Sequence, residues 1–302
     1  MKVFVTGGTG FVGKYVTRRL SESGHEVSIL TRSLVKAKAS VPWATVIEGD
    51  PRKSGQWQQS VAESDAAINL AGASIFSIWT DSARKSILDS RILTTRNLVD
   101  AIAASGKAKV LINASAVGYY GSRLDDEILD EAAPAGAEFM SEICVRWEDE
   151  AKRAAQFGTR VALCRFGIVL GKAGGALAKM LPAFRFMVGG AIGSGRQWMP
   201  WIHQEDLFNI FSLLLNDSEI SGPINCVAPN PVRNAEFAKI LARTLGRPIL
   251  LPAAPAFLLR TLLGEFANVV LKGQRVIPKK LMETGFSFRF PTLQQALEDL
   301  VE

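Results

Sequence analysis

The first fourteen residues, MKVFVTGGTGFVGK, constrain this chain more than any other stretch. An apolar run (Val3, Phe4, Val5) stops at Thr6 and gives way to Gly7-Gly8-Thr9-Gly10-Phe11-Val12-Gly13. A helical pattern follows, with Val12, Tyr15, Val16 and Leu20 on one face. Strand, glycine-rich turn and helix in that order form a phosphate cradle. Gly7 allows the tight turn off the strand. Gly10 lacks a Cβ, so a pyrophosphate can approach the backbone, and Gly13 lets the helix pack close to the strand. Thr9, Phe11 and Val12 complete the cradle. The helix N-terminus adds free N–H groups and the positive end of its dipole. The spacing is Gly-x-x-Gly-x-x-Gly rather than Gly-x-Gly-x-x-Gly. Its weight comes from its position directly after a buried-type strand.

A chain of 302 residues, 48% of them hydrophobic, has room for one large α/β unit with a smaller appendage. No stretch reaches the roughly 18 uninterrupted apolar residues of a membrane span. The nearest, 253–271, contains Arg260 and Glu265 and reads as an amphipathic or core helix. The N-terminus enters a strand at once, which leaves no room for a signal peptide. Cys144, Cys164 and Cys226 are odd in number and widely spaced, which points to a reducing, cytoplasmic compartment. With only His25 and His203 beside them, no metal-ligand spacing exists. Net charge is +6, but no basic block with interleaved aromatics suggests nucleic acid. The expected partner is a small molecule, and the expected state is monomer or homodimer.

Strand-like runs recur with helical segments between them. Residues 2–6 lead to a helix over 11–23. Runs at 26–30, 45–48 and 66–70 precede a long helix around 80–104. Residues 110–114 are followed by a polar loop, a helix around 138–156, and a strand over 160–166. This alternation predicts a Rossmann-like α/β fold: a doubly wound parallel sheet with a smaller C-terminal α/β lobe. Residues 1–170 would form the nucleotide-binding domain, completed by parts of 200–228. Residues 171–302 would form most of a substrate lobe over the open end of the sheet.

The second strand ends Ile29-Leu30-Thr31-Arg32-Ser33. An Asp or Glu there would bind a ribose 2′-hydroxyl and favour NAD. Arg32 can instead pair with a 2′-phosphate, so NADP(H) is expected. Asp50, after the third strand, is a candidate adenine-edge contact. Leu70, Ala71 and Gly72 are small enough in part to let the backbone approach the cofactor's ribose.

These features, with Ser115 and Trp201-Ile202-His203-Gln204-Glu205-Asp206, resemble the extended short-chain dehydrogenase/reductases. More narrowly, the chain resembles their atypical NAD-dependent epimerase/dehydratase-like (sugar nucleotide epimerase-like) group. The marks are Ser115-Ala116-Val117-Gly118-Tyr119-Tyr120-Gly121, Gly193-Ser194-Gly195-Arg196-Gln197, Pro231-Val232-Arg233-Asn234 and Val276-Ile277-Pro278-Lys279-Lys280. The last falls in a family-specific segment at about 248–298. The resemblance implies bound NADP(H), Ala114 among the cofactor contacts, and residues 167–171, including Ile168, beside the nicotinamide carboxamide. It implies no particular reaction.

The family's usual Tyr-x-x-x-Lys pair is missing. Anchoring the helix on Glu148 puts Met140 at the tyrosine position and Cys144 at the lysine position. A thioether donates no proton. Cys144 reads either as core filler or as a reactive thiol. Ser115 remains, and Tyr119 and Tyr120 lie a few residues beyond it. Either one of them substitutes as proton donor or both pack a rigid loop. Arg196, Arg165 and His203 are candidate substrate contacts, with structural pairing as the alternative for each. Two functions stay open: an NADP(H)-dependent epimerase or oxidoreductase acting on an unknown, nucleotide-linked or small substrate, and a non-catalytic NADP(H)-binding protein acting through a partner. Some proteins resembling this group are linked to bacterial or plastid cell division.

Overall fold

The chain alternates strand and helix from its first residues, and a computed structural model describes residues 1–123 and 125–301. The order begins β1 (Lys2–Thr6), α1 (Phe11–Glu22), β2 (Glu26–Thr31), α2 (Leu34–Ser40), β3 (Thr45–Glu48), α3 (Trp57–Ala62) and β4 (Ala66–Asn69). It continues α4 (Asp81–Ser105), β5 (Val110–Ala116), β6 (Ile128–Leu129), α5 (Phe139–Lys152), β7 (Arg160–Phe166), β8 (Ile168–Gly171) and α6 (Gly175–Arg185). Then come β9 (Trp198–Met199), β10 (Trp201–His203), α7 (Gln204–Asn216) and β11 (Gly222–Cys226).

Seven of these strands form one parallel sheet in the order β11-β7-β5-β4-β1-β2-β3. Successive side chains of a strand point to opposite faces, so a strand covered on both sides must be apolar throughout. In β1, Val3 and Val5 join Ile29, Ile68 and Ile112 beneath α1 and α7. Phe4 faces the other way, with Leu30, Leu111 and Leu98, beneath α3 and α4. The fold is therefore Rossmann-like and doubly wound. The strand order reverses between β1 and β4, and at such a switch point a ligand sits beyond the carboxyl ends of the strands.

The region after β7 departs from that regularity. β10 pairs with β8 outside the main sheet, and β11 alone extends it. A second core gathers Leu177, Leu181, Trp201, Phe237, Leu241 and Leu297. Asp206 ties the C-terminal segment down, its two carboxylate oxygens accepting from the backbone N–H groups of Arg289 (2.7 Å) and Phe290 (3.0 Å). After α8 (Asn234–Thr244), the expected single helix over 253–271 is two: α9 (Ala256–Leu263) and α10 (Ala267–Leu271). Gly264 separates them in a left-handed conformation, φ 58°, that ends α9. Among the described residues no helix is long and apolar enough to cross a membrane.

Candidate functional site

The turn after β1 has the geometry its glycines suggest. Gly7 adopts φ 71°, and a Cβ there would fall 2.6 Å from the Leu70 carbonyl carbon. A Cβ on Gly13 would collide with the Gly7 oxygen and lie 2.7 Å from Gly8 Cα. Gly10 N–H donates to Gly7 O at 3.0 Å, closing the turn. A Cβ on Gly10 would meet nothing closer than 3.3 Å, so its outer side is open to a ligand. α1 begins at Phe11, directly at this opening. These residues fit a dinucleotide's pyrophosphate.

A buried polar ladder braces the strand ends beside the turn. Thr6 Oγ1 donates to Asn69 Oδ1 at 2.6 Å, and Asn69 Nδ2 donates to Asn113 Oδ1 at 2.6 Å and to Thr95 Oγ1 at 2.8 Å. Thr6 Oγ1 also accepts from the Ala71 N–H at 3.3 Å, so the ladder fixes Leu70-Ala71-Gly72. Trp147 Nε1 donates to the same Thr95 hydroxyl at 2.9 Å.

Above these strand ends lies a cavity of about 880 Å³. Phe11, Val12, Leu70, Gly72, Ala114 and Ile168 all line it, as does Ser115. Its other wall comes from the C-terminal lobe, including Trp198, Phe266, Val269 and Val270. Aromatic and aliphatic groups dominate throughout. Arg84 pairs with Glu265 across the two halves and lies over the Phe139 ring, 4.4 Å from its centroid. Lys179 lies 3.8 Å from the Phe76 ring centroid.

Ser115 sits at the end of β5, nearly buried, and its hydroxyl donates to Glu148 Oε1 at 2.7 Å. Met140 and Cys144 line the cavity on α5. Burial pushes the Cys144 thiol up to about 11, so it is neutral at physiological pH and behaves as core filler.

The remaining candidates are placed differently from expectation. Arg165 was a prospective substrate contact, but it is 3% exposed and bonded to Glu148, Nε to Oε1 and Nη2 to Oε2, each 2.9 Å. This fork needs both carboxylate oxygens and leaves no free face toward the cavity. Tyr120, a prospective proton donor, is fully buried; its hydroxyl donates to Asn225 Oδ1 (2.6 Å) and accepts from Arg165 Nη1 (2.9 Å). Burial raises its pKa to about 12. Tyr119 stacks beneath the Arg165 guanidinium, 3.5 Å from ring centroid to Cζ. The two tyrosines end a short 3₁₀ turn, Val117–Tyr120, not a loop, and neither lines the cavity.

His203, also a prospective substrate contact, is 2% exposed and caps α7 by accepting from the Glu205 N–H at 3.0 Å. Its ring lies 3.9 Å from Phe290. Burial lowers its pKa to about 4, so it is neutral. Arg196 is exposed on the Gly-rich loop, apart from the cavity lining. Arg32 is exposed just beyond β2, free to meet a ligand. Asp50, the prospective adenine contact, is held by Arg52 (Nη2 to Oδ2, 2.7 Å), which lowers its pKa. Thr9 lies half-buried in the turn itself.

Among the cavity residues that the sequence reading did not name is Arg91 on α4, beside Gly72. The signal was present: Ile87, Arg91, Thr95 and Leu98 recur at helical spacing, an arginine on an otherwise inward-facing stripe.

A dinucleotide cradle at the switch point, opening into a walled cavity, defines a Rossmann-type nucleotide-cofactor protein. The model of the NAD dependent epimerase/dehydratase family matches residues 3–226, and this chain belongs to that family. A domain of unknown function, DUF1731, matches residues 254–300. Relatives include the epimerase family protein SDR39U1 homolog, chloroplastic, of Arabidopsis thaliana, 42% identical over 100% of this chain and 87% of its own length. Epimerase family protein YfhF of Bacillus subtilis is 39% identical, covering 100% of this chain and 98% of its own. The crystal structure of human epimerase family protein SDR39U1 (isoform 2) with NADPH superposes with a TM-score of 0.86 at 35% identity, covering 99% of each chain.

Proposed function

We propose that this protein binds NADP(H) and acts as a reductase or epimerase-like enzyme on a small carbonyl or alcohol with an apolar body. The observation that carries the reading is the continuity of the site. Phe11 and Val12 at the α1 N-terminus, directly after the glycine turn, border one cavity with Ser115, and its walls are chiefly aromatic and aliphatic. The human relative's structure with NADPH supports the choice of cofactor. Apolar walls favour a hydrophobic substrate over the nucleotide-linked one that the family resemblance brings to mind.

In this reading the α1 N-terminus and the turn hold the pyrophosphate, and Arg32 meets the 2′-phosphate. When bound, NADP(H) supplies a hydride at its nicotinamide. Ile168 and Ala114 border the space for that ring, and Ser115 presents its oxygen at the base of the cavity. The lobe residues Trp198, Phe266 and Val270 exclude water. The Ser115 proton is directed to Glu148, so any carbonyl reaching Ser115 must compete with that carboxylate.

That engagement, together with Met140, the neutral Cys144 and the sealed Tyr120, favours a second reading: an NADP(H)-binding protein that acts through a partner without turnover. Titration with NADPH and NADH, for wild type and Arg32→Ala, tests the cofactor. The expected result is tighter NADPH binding, with a loss of about 10- to 100-fold for NADPH alone in the variant, the range for a charge-assisted pair. Equal binding of both cofactors would remove Arg32 from the site. A panel of apolar aldehydes, ketones and alcohols then separates the readings, since a partner-acting protein turns over none.

A further inference from the structure

Arg91 is a cavity-lining arginine with no ion-pair partner among the described residues. Its Nη1 donates to two backbone carbonyls, Ile87 O (2.9 Å) and Ala73 O (3.2 Å). Among the described residues, no carboxylate lies within 4.0 Å of it, and Nε and Nη2 have no hydrogen-bond partner. The other cavity arginine, Arg84, has Glu265. The guanidinium rests over Trp147, 5.1 Å from the ring centroid, and a Cβ on Gly72 would fall 3.0 Å from its Cζ. A side chain at Gly72 would therefore press on the Arg91 guanidinium. Burial lowers the pKa of Arg91, yet a guanidinium keeps its charge in a protein. A half-buried charge without a counter-ion costs free energy, and a ligand oxygen that accepts from it recovers part of that cost.

Its place in the sheet says which part of a ligand it meets. Arg32 follows β2, on one side of the switch strand β1. Arg91 stands against the residues after β4, on the other side, near Ser115 and Cys144. A dinucleotide laid across β1 has its adenosine half at β2 and its nicotinamide half at β4 and β5. We propose that Arg91 clamps the nicotinamide half of the cofactor, donating Nε and Nη2 to oxygens of its ribose and adjoining phosphate. This rests on the cofactor reading above. It gives the site a fixed positive charge next to Cys144, where α5 supplies none.

The test compares two probes on the full chain by calorimetric titration: NADPH, and adenosine 2′,5′-bisphosphate, which lacks the nicotinamide half. Arg91→Met is expected to weaken NADPH at least ~10-fold while leaving adenosine 2′,5′-bisphosphate within ~2-fold of wild type. Arg91→Lys, a cation without the fork, should recover part of the loss. Unchanged NADPH binding in Arg91→Met overturns the proposal. So does an equal loss of both probes, which would mark a structural role. If Arg91→Met does not fold, Arg91→Lys decides alone: a loss confined to NADPH supports the clamp, and none overturns it. Wild type that binds neither probe sinks the cofactor reading itself, and the clamp with it.

Discussion

The two walls of the cavity are built on opposite principles. The wall at the strand ends is backed by a sealed polar lattice that reaches the cavity at Ser115. Ser115, Glu148, Arg165, Tyr120 and Asn225 form one chain of hydrogen bonds, and each is less than 4% exposed. The wall from the C-terminal lobe is apolar and shallowly anchored. α9, which adjoins that wall without lining the cavity, contributes no buried residue, and Phe257 and Leu262 are 71% and 61% exposed. A satisfied buried lattice has few alternative arrangements, so its geometry is set before any ligand arrives. A segment with few buried contacts can open at low cost. Under the proposed function, the first wall would orient the cofactor and the second would accommodate the substrate.

The lattice is the sharper place to break it. Arg165→Met leaves the Glu148 carboxylate buried without its partner, and should cost about 3–5 kcal/mol in urea unfolding. Adding Glu148→Leu should return most of that loss, because the pair's Coulombic gain and its desolvation nearly offset. A single substitution costing under about 1 kcal/mol would show that the lattice is dispensable and the contrast between walls false.

A smaller effect follows from His203. Its pKa is about 4 in the fold, below the ordinary 6.5, with burial as the main cause. The unfolded chain therefore binds more protons between these values. The stability that neutral His203 contributes is present above pH 6.5 and lost as the pH falls toward 4. The loss is on the order of 2–3 kcal/mol. Stability curves of wild type and His203→Asn, which keeps a capping acceptor, should converge at low pH and diverge above it. Parallel curves across this window would assign the acid sensitivity elsewhere.

The smallest effect is expected on α9, beside the second wall. Leu262→Glu should change stability by no more than about 0.5 kcal/mol, since the side chain is already in water. A loss above about 2 kcal/mol would mean that α9 is as firmly held as the strand ends.

The glycine cradle, the parallel sheet and the C-terminal lobe were all legible because each rests on local pattern. Gly7 and Gly13 are glycines for reasons visible within the turn itself. The candidate cofactor residues Phe11, Val12, Leu70, Gly72, Ala114 and Ile168 follow from where strands end, and all border the cavity. The roles of Arg165, Tyr120 and His203 were not legible. For each, a ligand role and structural pairing or packing both stood open, because it lies close in sequence to a strand end. Each is in fact turned inward by a partner 17 to 105 residues away, or by a cap and a packed ring. Arg91 was readable as a misplaced charge on α4 but not as a cavity residue.

The sequence by itself determined the sheet, the switch point and the cradle, because periodicity, strand apolarity and a glycine's missing Cβ act over a few residues. Only the tertiary structure decided which cations are committed. Arg165 and Arg91 are both inward-facing arginines near the same cavity, and one meets Glu148 while the other meets no acid among the described residues. That difference is set by long-range packing of α4 and α5 on the strand ends, and charge pairing across such distances leaves no local mark in a chain.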